Sequence, residues 1–124
     1  MKIEKFRVVE NIRQFIMVSN IYLKNFPKKE YALSDKIKRN SYDILELAYY
    51  ANSSTDLDVK IDKINNLLAK VRVIDFLLDY SQDNKYIENK HYLKLCMRIG
   101  DIEKFCTGWI EKINKYKENE KMKA

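Results

Sequence analysis

Glu88-Asn89-Lys90-His91 has the Glu-x-x-His spacing with which helical bundles hold iron, both side chains lying on one helix face. A di-iron centre of that kind takes two such pairs and two further glutamates, and His91 is the single histidine of the chain, so the site is excluded. The same scarcity removes a histidine-based triad and leaves a cysteine nucleophile without its usual base. Asp75 falls on the expected core side of the third helix, where burial can tune a carboxylate as acid or base. Arg72, one turn earlier, is placed to neutralise it, and the two read as a structural ion pair rather than as catalysis. Asn40, in the second helix, is a candidate member of a buried polar layer that fixes helix register. Cys96 and Cys106 lie about 280° apart around one helix, so they neither bond to each other nor form a metal knuckle. Among apolar neighbours they read as reduced core thiols. Two isolated glycines cannot build a phosphate loop. No metal, no cofactor and no enzymatic activity are expected, which leaves binding.

The elements that position these residues are helices. One proline and two glycines in 124 residues leave few sharp turns, and 46% apolar content suffices for the core of one domain. Apolar residues step by threes and fours from Val9 through Ile12, Ile16, Ser19 and Leu23 to Phe26, with Val8, Phe15 and Tyr22 widening the stripe. Pro27 breaks this first helix. A second runs through Leu33, Ile37, Asn40, Ile44, Leu47 and Ala51, with Ser34 as its expected N-cap. Thr55 opens a third, whose stripe is Leu57, Ile61, Ile64, Leu68, Val71, Asp75 and Leu78, and 81–85 closes it. The fourth carries Tyr92, Leu95, Ile99, Ile102, Cys106, Trp109, Ile113 and Tyr116. Short connectors between four amphipathic segments predict an all-α, antiparallel up-down-up-down four-helix bundle over residues 1–116, followed by a polar, frayed tail over 117–124. Charged residues make up 34% of the chain, so no membrane span is expected, and the charged start has no signal-peptide block. A cytoplasmic protein is the expectation.

Two features remain for binding. Residues 85–124 hold ten basic and six acidic side chains and residues 1–27 five and two, whereas 55–84 holds four basic and six acidic. Positive charge thus gathers on the first and fourth helices, neighbours in a closed bundle. Lys90, Lys94 and Arg98 form an i, i+4 ridge, Lys104, Lys112 and Lys115 extend it, and Lys24, Lys28 and Lys29 cluster at the first connector. Such a surface suits the phosphates of RNA or DNA, bound without base readout and more weakly as salt rises. It equally suits plain solvation. Many tyrosines, nine in the chain, fall beside or outside the narrow seams, as at interfaces or at the rim of a monomer, and a homo-oligomer is the expectation. Gly108 beside Trp109, the only tryptophan, marks a close packing contact in the core or between subunits.

Three stretches in order carry a family likeness: Phe26-Pro27-Lys28-Lys29-Glu30-Tyr31-Ala32-Leu33-Ser34-Asp35-Lys36-Ile37-Lys38-Arg39; Leu68 to Leu78 with Lys85-Tyr86-Ile87; and Ile102 to Lys112, which contains Gly108-Trp109-Ile110. Over about residues 10 to 115 the chain resembles small bacterial four-helix-bundle proteins, the accessory variability determinants (Avd) of diversity-generating retroelements and the proteins encoded by 23S rRNA intervening sequences. The latter typically carry Asn-Ile-Ala-Glu-Gly in the second helix, where this chain has Asp43-Ile44-Leu45-Glu46-Leu47-Ala48. That difference and the Gly-Trp ending favour the Avd branch. The resemblance implies a barrel-shaped pentamer without catalytic activity that binds nucleic acid through a basic surface and associates with a reverse transcriptase. By motif match it carries over Lys28, Arg72, Gly108 and Trp109. In the family, further positive charge often follows the position of Arg72, and here Asp75 and Asp79 stand there instead. A protein-interaction module of the same fold and an rRNA-associated protein are the alternatives.

Overall fold

The single proline marks the first reversal of the chain. In the computed structural model, which describes residues 2–123 with side chains from residue 7 onward, α1 spans Lys2–Leu23 and one 3-10 turn covers Lys28–Glu30. The helices α2 (Tyr31–Ser53), α3 (Leu57–Asp83) and α4 (Asn89–Lys123) follow, and the described residues contain no strand.

Each helix ends for a local reason. Past Leu23 the Asn25 and Phe26 amides donate back to the Tyr22 and Leu23 carbonyls, Phe26 tucks into the core, and Pro27 opens the 3-10 turn. That turn feeds straight into α2, so Ser34 has no free helix end to cap; it lies inside the helix and its Oγ donates to the Tyr31 carbonyl. Asp56, not Thr55, caps α3, its carboxylate accepting from the Asp58 and Val59 amides. An anion at that place also meets the positive end of the helix dipole, which a hydroxyl does not exploit. The end of α3 is a Schellman turn. Tyr86 N–H donates to the Ser81 carbonyl at 2.8 Å, Lys85 N–H to Gln82 at 3.0 Å, and Lys85 takes a left-handed φ of 62°. α4 does not stop at Tyr116 but stays helical to Lys123, with Lys117 reaching across to Asp58.

Neighbouring helices pack in a closed square, α1 against α2 and α4, α3 against α2 and α4. Side-chain contacts pin each seam. Asn20 donates to the Tyr42 hydroxyl, Lys70 to Asp43, and the Tyr92 hydroxyl to Asp79, while Tyr22 stacks on His91 at 4.0 Å. The end of α1 therefore lies beside the start of α4, and the end of α4 beside the start of α3, so neighbours run antiparallel. This is the all-α bundle that the hydrophobic spacing predicts.

The core rows differ from expectation by one residue on two helices. On α1 the buried row is Val8, Ile12, Phe15, Ser19, Leu23, with Val9 and Ile16 at its edge. On α3 it is Lys60, Ile64, Leu67, Val71, Ile74, Leu78, Ser81, so Leu68 lies at the margin and Asp75 is exposed. Asp75 is therefore not a core carboxylate, because a charged side chain loses the contest for the inner row to Ile74. Nor does Arg72 pair with it among the described residues; Arg72 points to solvent. Asn40 is buried at 3% exposure with Ser41 beside it, and Ser19 and Ser81 place further polar groups in the interior. Trp109 is wholly enclosed, at 0% exposure, and its indole N–H has no acceptor among the described residues. Truncating a side chain of this size in a core costs about 3–5 kcal/mol.

Candidate nucleic-acid interface

The cations fall into two groups. Lys24 at the end of α1 and Lys28 and Lys29 in the 3-10 turn share one end of the bundle with Lys85 and Lys90, and all five are exposed. The connectors at that end are fastened together, since the Tyr86 hydroxyl donates to Glu30 at 2.7 Å and packs near Phe26. That hydrogen bond to a carboxylate pushes the Tyr86 phenol up to about 12.

The second group runs along α4. Lys90, Lys94, Lys104, Lys112 and Lys115 are exposed on its outer face, while Arg98 is half-buried and its Nε has no partner among the described residues. The i, i+4 ridge thus turns inward at its third member. Arg7 of α1 sits 5.2 Å over the Phe105 ring and Lys104 5.7 Å from the same ring, so the α1–α4 face holds two cations on one aromatic platform. Lys90 approaches Glu88 at 3.8 Å, with both side chains largely exposed, a pair too well solvated to neutralise the ridge. Arg72 stands apart on α3, one turn before Asp75 and Asp79. Of the residues expected from the sequence, the structure brings together the connector lysines and the α4 ridge, and leaves Arg72 outside that surface. Gly108 is half-buried on α4 next to the enclosed Trp109.

Two features escaped the sequence reading. Lys60 is buried to 8% exposure because its Nζ donates to the Ala51 and Asn52 carbonyls, capping the end of α2 from the start of α3. Its place in the row 60, 64, 67, 71 was the available signal. Cys96 is not a core thiol: it is half-exposed on the α3 side of α4, beside Asp75 and Asp79, whereas Cys106 is fully buried. Burial, and secondarily Glu103, pushes the Cys106 thiol up to about 12.

The closed four-helix arrangement places the chain in the class of small all-α bundle proteins. Within that class the chain belongs to the bAvd-like family, whose model matches residues 6–113. The fold is also that of a solved protein of unknown function from the S23 ribosomal protein family of Bacteroides thetaiotaomicron VPI-5482, at 22% identity and a TM-score of 0.78, covering 87% of this chain and 98% of that one. No curated protein matches the chain. No helix among the described residues is long and apolar enough to cross a membrane.

Proposed function

We propose that the chain is a non-catalytic accessory protein that docks the phosphates of RNA or DNA on its α1–α4 face and associates with a reverse transcriptase, in the manner of the accessory variability determinants of diversity-generating retroelements. Membership of the bAvd-like family, joined to the exposed lysines along α4, carries the reading. Lys90, Lys94, Lys104 and Lys115 project from one rigid helix, a geometry that follows a phosphate backbone and reads no bases. The working form is a homo-oligomer, a pentamer by family likeness. Its seam is the outward row Ala69, Val73, Phe76 and Tyr80 on α3, where Phe76 is 63% exposed and no charge interrupts the row.

The test is binding of a labelled structured RNA across a salt series. Affinity falls with log salt at a slope of about −0.7 to −0.9 per neutralised phosphate. Joint replacement of Lys90, Lys94 and Lys104 by Glu lowers affinity at least about tenfold and flattens that slope. An RNA affinity that is absent at low salt, or indifferent to salt, removes the nucleic-acid half of the proposal and leaves an interaction module. The S23-family neighbour favours one second reading, in which the same face meets ribosomal RNA. Co-sedimentation with ribosomes, set against co-purification with a reverse transcriptase, separates the two.

A further inference from the structure

On the side of α4 away from the basic face, Asp75 and Asp79, one turn apart on α3, meet Cys96 of α4. A carboxylate oxygen from each aspartate and the Cys96 sulfur all lie within 4.8 Å of one another, and no other group of three or more histidine, cysteine or acidic side chains converges in this way among the described residues. In a chain with eighteen acidic side chains, that singles the cluster out from the acidic surface in general.

Two further observations concern what the cluster lacks and what holds it. The chain carries 24 lysines and arginines, yet none forms an ion pair with Asp75 or Asp79 among the described residues. Two carboxylates one turn apart beside the thiol make the local charge negative, with no paired basic side chain to offset it. The Tyr92 hydroxyl donates to Oδ1 of Asp79, which orients that carboxylate. Carboxylates that ligate metals are usually oriented by an outer hydrogen bond of this kind.

We propose that Asp75, Asp79 and Cys96 form a binding site for a thiophilic divalent cation, best matched by Zn2+. The thiol selects against Mg2+ and Ca2+, which take oxygen ligands, and three protein donors leave the fourth tetrahedral position to water. Bonds of about 2.0 to 2.3 Å put tetrahedral donors roughly 3.5 Å apart, so the side chains close by a small rotation. On binding, the Cys96 S–H bond breaks, its proton passes to solvent, and the sulfur bonds the metal. The site faces away from the α4 lysines and does not depend on nucleic-acid binding. It ties α3 to α4 across the bundle seam.

The test is Zn2+ added to the reduced, tag-free full chain while the exposed thiol is titrated with a chromogenic disulfide. Only Cys96 is accessible, because Cys106 is fully buried. One equivalent of Zn2+ should slow the Cys96 reaction at least about tenfold. Asp75→Asn and Asp79→Asn should each raise the Zn2+ concentration needed by about tenfold or more, and His91→Gln should leave it unchanged. Co2+ on the unaltered chain supplies a measurement independent of any variant, a sulfur-to-metal charge-transfer absorption that Cys96→Ser abolishes. A thiol rate that ignores Zn2+, protection that survives both aspartate replacements, or a Co2+ spectrum without the sulfur band overturns the site.

Discussion

Lys85 is the one non-glycine residue with a left-handed backbone among the described residues, and it holds the turn that sets α4 against α3. A side chain in that conformation costs roughly 1 kcal/mol that glycine does not pay. Lys85→Gly should therefore raise stability by up to about 1 kcal/mol in urea unfolding, less the extra freedom that glycine gives the unfolded chain. Cys106 sets an alkaline limit. Its thiol keeps its proton to about 12 in the fold, against an ordinary value of 9.0. Between those values the unfolded chain binds fewer protons than the folded one, so stability present below pH 9 is lost as pH rises, at up to about 1.4 kcal/mol per pH unit. Tyr86 and Tyr92, both raised by hydrogen bonds to carboxylates, act in the same direction above pH 10. Urea unfolding from pH 7 to 11 should show the decline beginning near pH 9. In Cys106→Ala the decline between pH 9 and 10 should become shallower, with a loss of roughly 1 to 2 kcal/mol at neutral pH from the smaller core side chain.

At the scale of elements, Gly100 lies mid-helix in α4, exposed, with open space where a Cβ would stand. Gly100→Ala should stabilise the chain by about 0.5 to 1 kcal/mol, read as a higher thermal midpoint, and leave assembly unchanged. Helix number, order and approximate ends were legible because the 3.6-residue period is strong and turn-forming residues are few. The inner row was less so. On α1 and α3 two adjacent rows are both apolar, Val8 with Val9 and Leu67 with Leu68, and only the neighbouring helices decide which faces in. The charge of Asp75 was the local clue that its row is the outer one. Lys60 and the cluster of Asp75, Asp79 and Cys96 were hidden for a different reason. Each depends on which turn of one helix stands opposite which turn of the next, a register that no single helix encodes. The basic ridge was legible as spacing, yet the partial burial of Arg98 was not.

For the molecule as a whole, the row containing Val73 and Phe76 on α3 and the lysines of α4 occupy different faces, so the proposed assembly and the proposed nucleic-acid docking should be separable by mutation. Phe76→Asp should reduce the oligomer to monomers in sedimentation velocity while far-ultraviolet dichroism keeps its helical amplitude, because Phe76 contributes nothing to the protomer core. The charge-reversed α4 chain should behave oppositely, assembling normally and losing RNA. Trp109 gives a means of watching either variant. It is the only indole in the chain and is sealed inside a single protomer. Its emission should shift to the red when the bundle unfolds and hold its wavelength when RNA or another copy docks outside. One label-free optical signal thus distinguishes a variant that has lost its fold from one that has lost only its companions.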